Sequence, residues 1–369
     1  MRLHLIASAK TNKNMITILI GTKAQVVKMA PVMKELSVRS IPYRFVLTGQ
    51  HTETMDDLIS AFNIRKADDV LVNIGESDTE IKLLKWLMLA IKSVRERDYF
   101  KKNTKVILVH GDTLSTLFGA VVGRIYSIPV AHVEAGLRSF NYFHPFPEEI
   151  VRVLTSKLAD IHYCSSDWAK NNLKHLSADS EIISTEENTI LDSLRYAINS
   201  SSGEVQQQAY GVLSMHRHEN ISDSSRFNHI LKVLIKIAEL INMKFILHPV
   251  TKNKLLKSGW YERLSALENI ELQNRMNYVD FSKLLAGSRF LLTDGGSNQE
   301  EAYHMGLPCL LLREKTERQE GLDENVIISN YDADTIMSFV RNNIKNKWEL
   351  KKITGKSPSK AIVDHLISL

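Results

Sequence analysis

Short apolar runs alternate along the chain with longer stretches in which apolar residues recur at helical spacing. Runs rich in Val, Ile and Leu that are separated by helices are typical of a parallel sheet covered on both faces. The runs that we interpret as strands lie at 16–21, 43–49, 105–111, 128–134 and 159–166, and then at 210–216, 243–250, 289–296 and 308–313. The pattern therefore predicts an α/β protein with two successive doubly wound, Rossmann-like domains.

The polar segment at residues 196–209 carries no strand pattern and separates the two series. We therefore expect an N-terminal domain over 1–195, a C-terminal domain over 196–350, and a helical tail over 351–369 that packs back on the N-terminal domain. A chain of 369 residues is long enough for two such domains, each with its own core. Ligands of open α/β sheets bind at the carboxyl ends of the strands, so we expect the two domains to face a central cleft.

Composition narrows the range of partners and locations. The net charge is +5, and Lys and Arg are scattered along the chain, which argues against a nucleic-acid partner. Cys164 and Cys309 lie far apart and outside any Cys/His cluster, which favours a reducing compartment and no metal site. The opening MRLHLIASAK has too short an apolar stretch for a signal peptide, and no run approaches membrane-spanning length. We therefore expect a cytoplasmic protein without a membrane partner.

Polar, glycine-containing groups follow several of the predicted strands. They are GTK at 21–23, GDTLST at 111–116, HVEAG at 132–136 and TDGGS at 293–297. Since the carboxyl ends of parallel strands meet at one edge of a sheet, each group is expected to lie where a ligand would bind. A single turn of this kind is usually only a turn, but several in succession indicate a site.

The turn TDGGS opens a predicted helix that begins near Ser297 or Asn298. The free N–H groups and positive end of a helix suit a phosphate, although an ordinary capped helix start gives the same pattern. The turn matches neither the dinucleotide fingerprint nor the P-loop. The candidates for neutralising a diphosphate are Lys23, Lys28, Arg313, Lys315 and Arg318, while each taken alone is typical of a solvated surface charge.

Three carboxylates have both a local structural interpretation and a catalytic one. Asp112 is either a helix N-cap or a group presented at the sheet edge. Glu134 follows an apolar run with little polarity nearby, a setting that suits acid–base catalysis. Glu148 follows Pro147 at a helix start and pairs locally with Arg152 at i,i+4 spacing. His216, at a strand end in the second half, is either structural or a proton donor.

Eight segments, in order between about residues 16 and 350, resemble the non-hydrolysing UDP-N-acetylglucosamine 2-epimerase family. GTKAQVVKMAP is similar to the family's GTRPExxKMAP, TGQHTETM to its QHxxM, and SMHRHEN to its HRREN. TDGGSNQEEA and REKTERQEG resemble TDSGGxQEEA and RDTTERPEG. VHGDTLST, IPVAHVEAGLRS and PFPEEIVR match almost letter for letter. The order of so many segments makes the resemblance specific.

The resemblance implies a fold like that of GT-B glycosyltransferases, with UDP held mainly by the C-terminal domain, and a homodimer. It implies inversion at C2 of a UDP-sugar without a cofactor. The C2 proton of the sugar is poorly acidic, and the family eliminates UDP across C1–C2 to give 2-acetamidoglucal. UDP then adds back while a proton arrives on the other face. Such a route needs carboxylates for proton transfer and cations for the leaving diphosphate.

Carried over residue by residue, the resemblance gives acid–base and sugar-site roles to Asp112, Glu134 and Glu148, with His216 beside the diphosphate. The UDP-binding residues that it implies are Lys23, Lys28, Phe281 near the uracil, Gly295, Gly296 and Ser297 in the phosphate turn, Glu301 on the ribose, and Arg318. The residues that match positions binding a second, activating UDP-GlcNAc in bacterial members are Gln50, His51 and Arg152.

Several positions depart from the family pattern. Lys23 and Gln25 replace an Arg and a Glu, the phosphate turn has its hydroxyl at Ser297, Val151 replaces an Asn, and Thr251 replaces a His. Alternatives are therefore 2-epimerisation of a modified UDP-GlcNAc, a hydrolysing epimerase that releases ManNAc, a GT-B glycosyltransferase, and a UDP-sugar sensor. A glycosyltransferase would not require all three carboxylates, so the complete set favours UDP-GlcNAc 2-epimerisation for surface polysaccharide synthesis.

Overall fold

The computed structural model describes residues 15–49, 55–73, 80–142, 146–176, 179–199 and 207–369, with the backbone alone at 80–84. The chain divides into two compact units. Unit 1 comprises the described residues up to Thr189 together with Lys356–Leu369, and unit 2 comprises Ile190–Gly355. Each unit is built around its own parallel sheet, so the predicted fold class, two Rossmann-like α/β domains, is confirmed.

The sheet of unit 1 has seven strands among the described residues, all parallel, in the order β3-β2-β1-β4-β5-β6-β7. The strands are β1 (Met15–Ile20), β2 (Tyr43–Leu47), β3 (Asp69–Val70), β4 (Thr104–His110), β5 (Val130–Val133), β6 (Ile161–Cys164) and β7 (Glu181–Ser184). The order reverses direction between β1 and β4, and this switch point is where doubly wound sheets bind ligands.

The helices of unit 1 alternate with its strands, as a parallel sheet requires. They are α1 (Lys23–Val38), α2 (Asp56–Ala61), α3 (Glu80–Arg95), α4 (Tyr99–Lys102), α5 (Leu114–Tyr126), α6 (Glu148–Leu158) and α7 (Asp167–Asn171). Apolar side chains of β1, β4, α3 and α5 form one core, in which the rings of Trp86 and Phe118 lie 5.7 Å apart. This core supports the ends of β1 and β4.

The sheet of unit 2 has six described strands in the order β10-β9-β8-β11-β12-β13. The strands are β8 (Tyr210–Met215), β9 (Asn242–Leu247), β10 (Ile270–Asn274), β11 (Phe290–Thr293), β12 (Cys309–Leu311) and β13 (Val326–Ile328). The switch point lies between β8 and β11. Polar residues that follow these two strands therefore occupy the ligand-binding position of the second sheet.

The helices of unit 2 flank this sheet, and α10 and α15 enclose a large apolar core with β8, β9 and β11. The helices are α8 (Ile190–Asn199), α9 (His218–Ser222), α10 (Ser224–Ala238), α11 (Pro249–Lys257), α12 (Trp260–Ser265), α13 (Tyr278–Ala286), α14 (Gly296–Met305) and α15 (Ala333–Asn343). No helix among the described segments has the length and apolar content needed to cross a bilayer.

The chain leaves unit 1 after Thr189, whereas the sequence pattern placed this boundary at residue 196. The difference arises because α8 belongs to unit 2, where Leu194 and Ile198 pack into the cluster around β11 and β12. The final helix, α16 (Pro358–Ser368), packs against α1 of unit 1. Tyr163 and Glu181 hydrogen-bond His365 on α16, each at 2.9 Å.

Candidate functional site at the sheet switch points

Gln25 joins the two loops at the switch point of unit 1. It lies in the first turn of α1, where Thr22 is the N-cap and Lys23 the first helical residue. Its buried amide makes five hydrogen bonds, with Oε1 accepting and Nε2 donating. The partners are the N–H groups of Gly21 (2.8 Å) and Thr22 (3.1 Å), the carbonyl of His110 (2.6 Å), and the hydroxyls of Thr113 and Thr116 (each 3.0 Å). Both amide atoms are needed, because the two backbone N–H groups can only donate and the His110 carbonyl can only accept.

Replacing Gln25 with Glu is therefore expected to destabilise the fold, although Glu is the residue of the family pattern. A carboxylate would face the His110 carbonyl without a proton between them, and such buried mismatches cost about 2–4 kcal/mol. Urea unfolding would measure the loss. Gln208→Glu makes the same change at an exposed position and is expected to stay within about 0.5 kcal/mol of the wild type. Equal stability of the two variants would contradict the proposed need for the donor.

Asp112 lies directly before α5 but does not cap it. Thr113 is the N-cap residue, so the interpretation of Asp112 as an N-cap is wrong. Arg152 on α6 donates instead to Asp112 Oδ2 at 2.6 Å, and the Asp112 side chain is about one quarter exposed, at 26%. Arg152, which the resemblance placed in a regulatory site, thus contacts one of the three predicted catalytic carboxylates.

Glu134 is surrounded by polar groups, so the expectation of little polarity near it is wrong. Lys28 from α1 and Asn188 from the loop after β7 both donate to its Oε2, and His110 Nε2 lies 3.9 Å from the same oxygen. Lys28, predicted to neutralise a diphosphate, therefore pairs with a carboxylate in unit 1. Glu134 also has a φ of 64°, a left-handed backbone that is costly for a residue other than glycine. Strain of this kind is concentrated at functional sites.

Glu148 and Glu149 are adjacent but have different surroundings. Pro147 is the N-cap of α6, and Glu148 is the first helical residue. Oε2 of Glu148 is buried and has no hydrogen-bond partner among the described residues. Burial acts to raise the pKa of Glu149, but the Ser139 N–H and Arg138 outweigh it and hold that pKa below its usual value. Glu149 therefore anchors the loop after β5, while Glu148 has one buried carboxylate oxygen that makes no hydrogen bond among the described residues.

His132 fixes the backbone beside Asp112. Its Nε2 lies 2.7 Å from the carbonyl oxygen of Gly111, the residue that turns the chain after β4 with a φ of 69°. Burial lowers the pKa of His132 to about 4, even though this hydrogen bond acts in the opposite direction. The ring is therefore neutral at pH 7 and carries its proton on Nε2, since a carbonyl can only accept.

The switch point of unit 2 is held together by Asp294, which is fully buried. Its carboxylate accepts the N–H groups of His216 at 3.0 Å and Arg217 at 2.9 Å, and the Asn220 amide at 2.9 Å. These bonds join the loop after β8 to the turn after β11. Desolvation lowers the pKa of His216, against the opposing charge of Asp294. His216 is therefore neutral at pH 7.

The predicted phosphate turn forms the N-terminus of α14. Gly295 is the N-cap, Gly296 the first helical residue and Ser297 the second, so the free N–H groups of the first turn point out of this end. A Cβ atom on Gly295 would lie 3.2 Å from His216 Cε1, and one on Gly296 would lie 2.9 Å from Arg318 Nε. An imidazole and a guanidinium thus lie against the turn, as an anion site requires.

Arg318 and Glu301 both have partners in the first turns of α14. Arg318 is buried and forms an ion pair with Glu300, so its charge is held in one place. Glu301, predicted to bind ribose, is buried and accepts from Asn298 Nδ2 at 2.9 Å. Burial and the nearby charge of Glu301 raise the pKa of Tyr278 on α13.

Phe281 lies one turn after Tyr278 on α13 and packs at the edge of the apolar cluster around β11. This position is compatible with the predicted role near the uracil. Gln50 and His51 lie outside the described residues. Of the departures from the family pattern, Thr251 is fully buried and donates to the carbonyl of Met215, directly before His216. Val151 is buried in α6, one residue before Arg152.

Sequence reasoning missed several residues that the structure brings into these sites. Asp294 and Gln25 lie inside motifs that we had singled out, and their positions at strand ends were the signal for them. Asn188 had no such signal, because it lies in a polar stretch that the pattern treats as an ordinary loop. Tyr278 had none either, since an aromatic residue at a helix start is usually part of a core.

The comparisons with known proteins agree with this arrangement. The family model for UDP-N-acetylglucosamine 2-epimerase matches residues 34–359. The UDP-N-acetylglucosamine 2-epimerase of Bacillus subtilis is 29% identical over 362 residues, which are 94% of this chain and 93% of that protein. The structure of the Methanocaldococcus jannaschii UDP-GlcNAc 2-epimerase, in complex with UDP-GlcNAc and UDP, is similar with a TM-score of 0.84 at 28% identity and covers 96% of this chain and 100% of its own.

A second solved structure, the Neisseria meningitidis UDP-GlcNAc 2-epimerase bound to UDP-GlcNAc, has a TM-score of 0.83 at 28% identity, with 96% of this chain and 100% of that chain covered. These likenesses extend through both units. Asp112, His216 and the turn at Gly295–Ser297 follow strands that flank the switch points of the two sheets, where ligands of such folds bind. Because the family match spans most of its length, the chain belongs to the UDP-N-acetylglucosamine 2-epimerase family.

Proposed function

We propose that this protein is a non-hydrolysing UDP-GlcNAc 2-epimerase, which interconverts UDP-GlcNAc and UDP-ManNAc. The observation that carries the proposal is the division of chemistry between the two switch points. Unit 1 has Asp112, Glu134 and Glu148 at its strand ends and helix start, whereas unit 2 has a helix N-terminus flanked by an imidazole and a guanidinium. UDP binding alone would need only the second set.

In the proposed reaction a carboxylate of unit 1 takes the C2 proton while the C1–O bond to UDP breaks. The electron pair of the C2–H bond forms the C1–C2 double bond of 2-acetamidoglucal, and UDP leaves with the electron pair of the C1–O bond. In the return step a proton reaches the opposite face of C2 and the diphosphate oxygen adds to C1. Burial and hydrogen bonding hold these carboxylates before the substrate arrives, which lowers the cost of reorganisation.

The diphosphate is assigned to the turn at Gly295–Ser297. The N–H groups of the first turn of α14 and the buried guanidinium of Arg318 stabilise the charge that develops on UDP as it leaves. His216 is neutral at pH 7 and lies against the same turn, so it serves as a hydrogen-bond donor there. Glu301 is assigned to the ribose hydroxyls and Phe281 to the uracil.

Incubation of the protein with UDP-GlcNAc in D2O tests this proposal. NMR is expected to show deuterium at C2 and the growth of UDP-ManNAc signals, since the abstracted proton exchanges with solvent. Intact, fully protonated UDP-GlcNAc would rule out epimerisation of this sugar, and a modified UDP-GlcNAc would be tested next. Release of free ManNAc with UDP would instead assign the protein to the hydrolysing type.

We further propose a cytoplasmic homodimer that supplies UDP-ManNAc for surface polysaccharide synthesis. Cys164 and Cys309 are both buried free thiols, which supports a reducing compartment. The dimer rests on family membership. Light scattering coupled to size-exclusion chromatography would give twice the 42.0 kDa mass of the chain if it is right.

A further inference from the structure

Asn188 contacts the carboxylate on which the proposed chemistry depends. It lies in the loop between β7 and α8, directly before the last residue of unit 1, and only 5% of it is exposed. Its Nδ2 donates to Glu134 Oε2, the same oxygen that Lys28 contacts. The Thr189 hydroxyl lies 3.4 Å from Asn188 Oδ1 and fixes the orientation of the amide, so that its NH2 group faces Glu134.

The two donors act on Glu134 in different ways. Lys28 supplies a charge, which stabilises the carboxylate from a range of positions, whereas an amide must point at the oxygen to stabilise it at all. Because both donors lie at Oε2, the other oxygen is directed to the turn that carries Asp112. A Cβ atom built on Gly111 would lie 3.9 Å from Glu134 Oε1. Asn188 therefore influences both the charge of Glu134 and the direction in which it faces.

We propose that Asn188 is a positioning residue for the epimerase reaction, which holds Glu134 ionised and keeps its Oε1 turned to the reacting sugar. This inference rests on the proposed function. No motif singled out in the sequence contains Asn188. Among the described residues, the titratable and charged groups beside Glu134 include Lys28 from α1, His110 from β4 and His132 from β5. Asp112 follows Gly111 in the turn that Glu134 Oε1 faces.

Replacing Asn188 with Leu, which has a similar size and no donor, tests the proposal. We expect kcat for UDP-GlcNAc to fall about 10- to 100-fold, since a hydrogen bond to a charged group is worth about one to two factors of ten. KM is expected to remain within a few-fold, because the nucleotide is assigned to unit 2. The acidic limb of the kcat–pH profile should move upward by about one pH unit, since Glu134 would then hold its proton more readily. Asn188→Asp should move the limb further.

Asn172→Leu is the matched control. Asn172 is also partly buried in unit 1, and its amide donates to the carbonyl of Gly136, two residues after Glu134, at 2.9 Å. The control is expected to lower stability without moving the pH limb. If the acidic limb of the kcat–pH profile of Asn188→Leu lies where it does in the wild type, or if the two variants behave alike, Asn188 only anchors its loop and the proposal is wrong.

A readout without turnover separates this inference from the proposed function. Carbon-13 NMR of labelled glutamate side chains follows the titration of Glu134 directly, and its signal is assigned as the one lost in a Glu134→Gln variant. Asn188→Leu should raise the midpoint of that titration by about one pH unit whether or not the wild type epimerises UDP-GlcNAc. An unchanged midpoint would overturn the role of Asn188. Absence of epimerase activity with a shifted midpoint would overturn the proposed function alone.

Discussion

Replacing Glu134 with Gln is expected to lower kcat for UDP-GlcNAc epimerisation by about 10²- to 10⁴-fold, the usual contribution of one acid–base group. The amide has nearly the shape of the carboxylate, and its carbonyl oxygen still accepts from Lys28. It cannot take up a proton from C2 or return one. The affinity for UDP should stay within a few-fold of the wild type, because the nucleotide is assigned to unit 2. Calorimetry with UDP and NMR of the reaction in D2O measure the two quantities.

Glu186→Gln is the control for this variant. Glu186 belongs to the same unit and is exposed, with its carboxylate 2.5 Å from Lys356 Nζ on the surface. The same loss of charge there should leave kcat and the affinity for UDP at wild-type values. Full activity of Glu134→Gln would exclude Glu134 as a proton-transfer group. Loss of both activity and UDP binding would point instead to a general loss of structure.

The core strands could be predicted from the sequence and the edge strands could not. The nine predicted strands all occur, with ends displaced by a few residues. In the described part of the chain, the four strands that were missed are β3 and β7 at the two edges of the first sheet, and β10 and β13 at the two edges of the second. A central strand is covered on both faces and reads as a continuous apolar run. An edge strand is partly exposed, and β7, with the sequence EIIS, has no fully buried residue.

The candidate site could be predicted as a set of residues but not as a set of contacts. Motifs at strand ends identified Asp112, Glu134 and His216, because the topology of a parallel sheet fixes which edge such residues occupy. Their partners depend on side chains that arrive from elsewhere in the chain. Lys28 on α1 is 106 residues from Glu134 in the sequence, and Asn188 after β7 is 54 residues from it. No local sequence pattern predicts either contact.

Lowering the pH from 7.5 to 5 is expected to destabilise unit 1 through a buried pair of histidines. His132 on β5 and His162 on β6 are directly paired neighbours in the sheet, and both are essentially inaccessible to solvent. Burial lowers the pKa of each to about 4, and each would repel the charged form of the other. Both rings are therefore neutral in the folded protein at pH 5.

The sign of the effect follows from the unfolded chain, in which a histidine has a pKa of about 6.5. As the pH falls below that value the unfolded state takes up protons that the folded state cannot bind until the pH approaches 4. The stability that the neutral rings provide is thus complete above about pH 6.5 and is lost between there and about pH 4. Between pH 7.5 and pH 5 the free energy of unfolding therefore falls by about 2 kcal/mol for each histidine.

His162→Leu is expected to remove about half of this loss, since it replaces one titrating ring with an apolar side chain of similar size. Urea unfolding of the wild type and the variant at pH 7.5 and pH 5 measures the difference. Other groups with shifted pKa values, such as His216 and His304, contribute to both proteins and cancel in the comparison. If the variant loses as much stability on acidification as the wild type, the folded protein must accept a proton on this pair without penalty. The His132 ring, which holds the Gly111 carbonyl beside Asp112, would then be a charged group in the site and not the neutral donor that its burial indicates.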